Sequence, residues 1–270
     1  MAVVEVRDLV KRYRNRTVNA VDHVSFDVGD GELFCLLGPN GAGKTTTLSV
    51  LTTILRPTSG SVRIAGWDVV GHPGRVRGAV GIVFQGPSLD LNLTAEENLR
   101  LHAILYGLFP WRPSYRLMPA GYRRRVSELA DILDVVDLAR TPVRELSGGT
   151  RRKFEIVRAL MHSPRVLFLD EPTTGLDPES RRSLWGYLRG VQAASGTTIV
   201  LTTHYLEEAE QADVVCVVDR GAVRELDSPA NLKRRQLQPT LEDAYLRLLD
   251  GDAEGGDGAG DGAGDRGGGR

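Results

Sequence analysis

Long apolar runs are missing from this sequence of 270 residues, and cysteine is rare, with two residues. The longest apolar runs, such as 33–37 and 214–218, have about five residues, whereas a membrane-spanning helix needs about 20. The N-terminus also lacks an apolar stretch of signal-peptide length, so we expect a cytosolic chain without membrane spans. Cys35 and Cys216 lie in short apolar runs without paired spacing, which predicts buried core residues rather than a disulfide or a metal site.

An excess of charge of one sign is also missing. Lys and Arg number 34, Asp and Glu number 35, and the formal net charge is -1. Nucleic-acid-binding proteins usually carry a basic excess, so we predict no nucleic-acid partner. Glycine, in contrast, is abundant with 31 residues, and many of them lie in the Gly/Asp-rich segment 250–270. This segment has almost no large apolar residue and is predicted to be disordered.

The apolar pattern predicts an α/β domain over residues 2–249. Strands are expected at 4–6, 24–28, 32–37, 61–65, 80–84, 166–169, 198–201, 214–218 and 222–226. Helices are expected at 44–55, 94–106, 122–136 and 149–161, from 178, around 207, and after 228 and 240. Alternating strands and helices indicate a mostly parallel sheet. We therefore predict a parallel core with N-terminal antiparallel strands and an inserted helical subdomain at about 87–161.

A glycine-rich segment between an apolar strand and a helix fits the pattern GxxxxGK[ST]. It consists of Gly38, Pro39, Asn40, Gly41, Ala42, Gly43, Lys44 and Thr45. Glycines let backbone N–H groups curl around a phosphate, and the helix N-terminus adds partial positive charge. Lys44 is expected to contact the β- and γ-phosphates, Thr45 to ligate Mg²⁺, and Thr46 to contact the α-phosphate side. The alternative, a chance glycine-rich turn, is disfavoured by this context, which predicts a P-loop NTPase core.

Two adjacent carboxylates, Asp170 and Glu171, end the apolar strand at 166–169. Ligands of open α/β sheets bind at the carboxyl ends of the strands. We therefore predict that Asp170 holds Mg²⁺, directly or through water, and that Glu171 polarises the attacking water. The alternative is that both are solvated turn residues.

Residues 146–150, LSGGT, stand directly before a predicted helix. With this motif the sequence resembles the ATP-binding cassette (ABC) ATPases, whose signature is LSGGQ, although Thr150 replaces the usual glutamine. Ser147 is a good helix N-cap, and Gly148 and Gly149 leave backbone N–H groups bare for an anion. The resemblance implies that this site faces ATP held by a second cassette, so that a homodimer or paired cassettes sandwich two ATP molecules. The simpler alternative is that Ser147 only caps its own helix.

Further family elements follow in order, and their roles are those that the resemblance implies. Gln85 matches the Q-loop glutamine that contacts Mg²⁺ and water, and Asp177 matches the D-loop of the dimer. His204 matches the switch histidine at the γ-phosphate, and Tyr13 resembles the aromatic residue that stacks on adenine. The alternatives are a polar strand terminator for Gln85, a surface histidine for His204 and a packed strand tyrosine for Tyr13. Asp177 is also a good helix N-cap, a role compatible with the D-loop assignment.

Three segments resemble the ATPases of multidrug, daunorubicin-resistance and polysaccharide exporters: 84–98, 150–156 and 239–245. This resemblance implies a peripheral subunit at the cytoplasmic face of the membrane that powers export of a drug-like, lipid or polysaccharide substrate through a separate permease. An importer ATPase, a cassette acting on nucleic acid or ribosomes, and a non-hydrolysing regulator remain as alternatives.

Some segments have no such assignment. The proline-rich segment 109–121 is longer than in the family that the sequence resembles, and that resemblance places it in the subdomain where a permease docks. It affects which permease binds, or it is a surface insertion without function. The basic clusters at 123–125, 151–153 and 233–235 are predicted to be solvated helix faces, and the alternative is contact with anionic lipid headgroups beside a permease.

Overall fold

The computed structural model describes residues 1–14, 16–86 and 88–250. Asp250 is the last residue of the final helix, and the remainder of the segment 250–270, for which we expect disorder, lies outside the described residues.

The described residues contain nine α-helices and ten strands, and the strands form two sheets. The strands are β1 (Ala2–Lys11), β2 (Val21–Gly29), β3 (Leu33–Leu37), β4 (Ser59–Ile64), β5 (Trp67–Asp68), β6 (Val80–Val83), β7 (Val166–Asp170), β8 (Thr198–Thr203), β9 (Val214–Asp219) and β10 (Ala222–Asp227). The helices are α1 (Lys44–Leu51), α2 (Pro73–Ala79), α3 (Ala95–Leu105), α4 (Ala120–Ile132), α5 (Gly148–Leu160), α6 (Pro178–Ser195), α7 (Leu206–Ala209), α8 (Pro229–Arg235) and α9 (Leu241–Asp250).

The larger sheet has the order β10-β9-β3-β8-β7-β6, and β10 alone pairs antiparallel to its neighbour. All residues of β3, β7 and β8 are buried, as expected for strands covered on both faces. The smaller sheet, β2-β1-β4-β5, is antiparallel throughout. The predicted α/β architecture with N-terminal antiparallel strands is confirmed.

The larger sheet separates two hydrophobic cores. Successive residues of a strand point to opposite faces, so Leu33, Cys35 and Leu37 enter one core while Phe34 and Leu36 enter the other. The first core also takes the apolar faces of α3, α4, α5 and α6, and it therefore holds the helical segment against the parallel strands.

Helix caps follow the sequence closely at several points. Thr94 and Glu97 form the expected capping box at the start of α3, since each side chain accepts from the other residue's backbone N–H. Ser147 caps α5 through the N–H of Thr150, and Asp177 caps α6 ahead of its first-turn proline.

Other boundaries differ from the prediction. The helix expected to reach residue 55 ends at Leu51, where Thr53 adopts a positive φ of 65°. The helix expected at 122–136 is α4, at Ala120–Ile132. The segment 109–121 contains a single 3-10 turn, and the ring of Phe109 packs edge-on against Tyr122 at 5.6 Å. Helix α2 and strand β5 were not predicted.

Candidate active site

The glycine-rich loop connects the buried strand β3 to helix α1, as its sequence predicts. Gly41 and Gly43 adopt positive φ angles of 82° and 99°. A Cβ at Gly43 would lie 2.3 Å from the Ala20 carbonyl oxygen, and a Cβ at Gly38 would lie 2.1 Å from that of Val218. Glycine is therefore required at these two positions by close backbone contacts.

The start of α1 has backbone N–H groups that are available to bind a ligand. In the part of the chain that the structure describes, no acceptor is paired with the backbone N–H groups of Lys44, Thr45 and Thr46. The loop tip at Asn40 is exposed, and the N–H of Ala42 donates to Pro39 O at 3.2 Å. Free N–H groups at a helix N-terminus fit a polyphosphate.

Lys44 lies almost fully buried at the base of this loop, with 4% of its surface exposed. Its Nζ donates to Gly38 O at 2.6 Å and to Pro39 O at 3.0 Å. Burial lowers the pKa of this ammonium group, while the nearby Glu171 and Asp170 oppose the shift. The loop thus carries a positive charge that is held by its own carbonyl groups.

Tyr13 stands beside the same loop. Its hydroxyl lies 3.3 Å from Thr46 Oγ1, and 42% of the residue is exposed. The ring is therefore open to solvent next to the phosphate loop, rather than packed in a strand interior.

Asp170 ends β7 directly opposite Thr45. Its Oδ1 accepts hydrogen bonds from Thr202 Oγ1 at 2.6 Å and from Thr45 Oγ1 at 3.2 Å. A carboxylate and a hydroxyl at this spacing are oxygen donors of the type that Mg²⁺ prefers, so the residues fit such an ion.

Glu171 follows with a positive φ of 44°, which turns its carboxylate back toward the loop. Oε2 accepts from Gln85 Nε2 at 3.0 Å and from Thr174 Oγ1 at 3.1 Å. Oε1 lies 3.3 Å from His204 Nδ1 and 3.9 Å from Lys44 Nζ. The His204 Nδ1 atom is buried but forms no hydrogen bond with this carboxylate. One carboxylate thus brings together four side chains from four separate segments.

The signature residues and Asp177 form a second group. Ser147 Oγ accepts from Thr150 N at 3.2 Å and lies 2.9 Å from Thr150 Oγ1. Asp177 accepts from the N and Oγ of Ser180, and these hydrogen bonds lower its pKa. Within residues 1–14, 16–86 and 88–250, no hydrogen bond or ion pair joins residues 147–149 or Asp177 to the phosphate loop.

The prediction of a solvated basic face at 151–153 is wrong for Arg152, which is only 7% exposed. Its guanidinium donates to backbone carbonyls that include those of Asp170 and Glu171. The sequence carried one signal for this, an acidic residue three positions later on the same helix, Glu155. Sequence reasoning also missed Thr202, which bonds Asp170.

The fold and these contacts define a P-loop NTPase whose acidic strand end faces its phosphate loop. The sequence profile of the ABC transporter family matches residues 21–174, and the chain belongs to this family. Its predicted relationship to the ATPases of ABC exporters is confirmed by curated relatives.

One such relative is the Nod factor export ATP-binding protein I of Ralstonia nicotianae, which is 44% identical over 220 residues. The alignment covers 81% of this chain but 65% of the relative, which is less than two thirds of its length. Another is the daunorubicin/doxorubicin resistance ATP-binding protein DrrA of Streptomyces peucetius, which is 41% identical over 252 residues. That alignment covers 93% of this chain and 71% of the relative.

Solved structures have the same fold. An ATP-binding subunit of an ABC transporter is 31% identical with a TM-score of 0.78, covering 92% of this chain and 99% of that chain. A dimeric ATP-binding cassette in a post-hydrolysis state, bound to ADP and Pi, is 26% identical with a TM-score of 0.73. This second match covers 83% of this chain and 98% of that chain. No helix among the described residues has the length and apolar character needed to cross a bilayer.

Proposed function

We propose that this chain hydrolyses ATP, with Glu171 as the residue that activates the attacking water. The convergence on the Glu171 carboxylate carries this proposal, because Gln85, His204 and Lys44 all approach it within 3.9 Å. A carboxylate held in this way beside a phosphate loop can accept a proton from water aligned with the γ-phosphate.

The other roles follow from position. The free N–H groups of the loop would bind the phosphates together with Lys44, and the exposed ring of Tyr13 would stack on the adenine. Gln85 would connect the Mg²⁺ and water at the site to the helical segment, and His204 would orient the γ-phosphate and water.

Mg²⁺ would be held by Thr45 and Asp170, with Gln85 nearby, and when bound it would neutralise phosphate charge. The hydrogen bond between Thr45 Oγ1 and Asp170 Oδ1 supports this assignment, because it brings two oxygen donors from different segments together.

We further propose that two cassettes act together, each supplying Ser147, Gly148 and Gly149 to the ATP held by the other. The bare N–H groups at the start of α5 are suited to an anion, and among the described residues no hydrogen bond joins them to the phosphate loop of their own chain. Asp177 would then lie at the interface between the cassettes. The dimeric solved cassette bound to ADP and Pi supports this arrangement.

The biological role we propose is export of a drug-like, lipid or polysaccharide compound through a separate membrane permease, with this chain bound at the cytoplasmic face. The names of the relatives, which concern Nod factor export and daunorubicin/doxorubicin resistance, support export over import. The test combines this chain with the product of a neighbouring reading frame that has about six apolar spans. ATP-driven efflux from cells that express both proteins, or ATP-driven uptake into inverted vesicles that contain both, would support this role.

Glu171→Gln tests the catalytic proposal. This variant keeps the shape of Glu171 and one acceptor oxygen but cannot take a proton, so hydrolysis should fall by about 10²–10⁴-fold while ATP binding persists. Size-exclusion chromatography with ATP should then show a stable dimer. Glu207→Gln, at an exposed carboxylate, is the matched control and should behave as wild type. Undiminished hydrolysis, or no dimer, would contradict the proposed role of Glu171.

A further inference from the structure

Arg152 holds three consecutive carbonyl groups at the end of β7. Its Nε donates to Pro172 O at 2.9 Å, and its Nη2 donates to Asp170 O at 3.2 Å and Glu171 O at 3.3 Å. The backbone that carries the proposed water-activating carboxylate is therefore attached to helix α5 through a single guanidinium group.

The same guanidinium also reaches the segment that carries Gln85. Its Nη1 donates to Phe84 O and to Glu155 Oε2, the latter at 2.8 Å. Glu155 Oε1 in turn accepts from both the N and the Oγ of Ser88, at 2.7 and 3.0 Å. Residues on both sides of Gln85 are thus fixed to α5.

The chemistry of this contact requires arginine. A planar guanidinium has five N–H donors in a rigid fork, so it can serve acceptors in several directions at once, whereas a lysine ammonium is a point charge with three donors. Burying the pair of Arg152 and Glu155, which are 7% and 4% exposed, costs desolvation energy, and ion pairs of this kind contribute little net stability. Their contribution is better explained by the geometry that they impose.

We propose that Arg152 is a positioning residue for ATP hydrolysis. It sets the placement of Gln85 relative to Glu171, and it transmits movement of α5, whose N-cap is Ser147, to both of them. This inference rests on the proposed ATPase function, because it assigns Arg152 a purpose only if Glu171 and Gln85 act on ATP.

The test is the double variant Arg152→Met/Glu155→Gln in the full chain. Removing both charges leaves no unpaired buried carboxylate, and the amide introduced by Glu155→Gln keeps an oxygen for the donors of Ser88. The carbonyls of Phe84, Asp170, Glu171 and Pro172 lose their hydrogen bonds to Arg152, although that of Glu171 keeps the N–H of Thr174. Arg124→Met, at an exposed position of α4, is the matched control.

We expect kcat of the double variant to fall at least tenfold. Its ATP dissociation constant should stay within twofold of wild type, and its thermal unfolding midpoint within a few degrees. Hydrogen–deuterium exchange should become faster in peptides covering 84–88 and 170–176, and stay unchanged in peptides covering the phosphate loop. Arg152→Lys should recover less than a third of the lost kcat, because one ammonium cannot reach all of these acceptors.

A double variant with unchanged exchange at either segment, or with kcat within twofold of wild type, would overturn the assignment. A wild-type chain without ATP turnover would instead count against the proposed function, and the exchange measurement would still decide whether Arg152 fixes the two segments.

Discussion

Gly149 packs so closely against Ser180 that a Cβ on Gly149 would lie 2.7 Å from the Ser180 Oγ. This contact joins the first turn of α5 to the first turn of α6. Ser180 Oγ is itself engaged, because it donates to Asp177 Oδ2 at 2.6 Å. The second glycine of the signature is thus closely packed against α6 within one chain, in addition to any role toward a nucleotide.

Gly149→Ala should therefore lower the free energy of unfolding by about 1–3 kcal/mol, since the added methyl group displaces Ser180 from its bond to Asp177. Urea unfolding followed by circular dichroism measures this change. Gly148→Ala is the matched control, because the nearest atom to its Cβ would be Leu176 Cδ2 at an ordinary 3.8 Å. Equal stability of the two variants would contradict the packing argument.

Lys44→Met should reduce ATP affinity at least tenfold, because the loop loses the charge that its carbonyls hold in place. The free energy of unfolding should change by less than about 1 kcal/mol, since the buried ammonium costs desolvation energy that offsets its two hydrogen bonds. Isothermal titration calorimetry and urea unfolding measure the two effects. Lys233→Met, which removes a surface pair with Glu210, should leave ATP affinity at the wild-type value.

Acidification should destabilise the helical segment through His102. Burial lowers its pKa to about 4, and Arg158 and His162 add to the shift. The unfolded chain, with a histidine pKa near 6.5, binds more protons than the folded chain between pH 6.5 and 4, so the free energy of unfolding falls as the pH falls across this range.

His102→Gln should reduce the number of protons taken up on unfolding by up to one. The free energy of unfolding, measured with urea between pH 7 and 4.5, should therefore depend less steeply on pH. His23→Gln is the control of opposite sign, because the hydrogen bond to Asp8 raises the pKa of His23. That bond stabilises the fold below pH 6.5, so losing it should not make the slope shallower. An unchanged slope in His102→Gln would refute the assignment.

The phosphate loop, the capping box at Thr94 and the acidic end of β7 could be read from the sequence because each is a local pattern with its own hydrogen-bonding logic. Helix α2 and strand β5 could not be predicted in this way. They lie in a glycine-rich stretch without sustained periodicity, and β5 forms only by pairing with β4. Their conformation depends on pairing and packing against the neighbouring strands β4 and β6.

The burial of Arg152 at the site also could not be predicted from the sequence. Three consecutive basic side chains on a helix point about 100° apart, and only the packing of α5 against β6 and β7 decides which one is buried. The pairing of Glu171 with Gln85, 86 residues apart, likewise depends on the parallel register of β6 and β7.

The two cores separated by the larger sheet also separate the two cysteines. Cys35 lies opposite Val215, whereas Cys216 lies opposite Leu36, so the thiols point to opposite faces. Burial raises the pKa of both, that of Cys216 to about 12, so neither reacts until its own side opens. The chain therefore carries two built-in probes, and the rates of thiol alkylation report separately on opening of the helical side and of the antiparallel-sheet side.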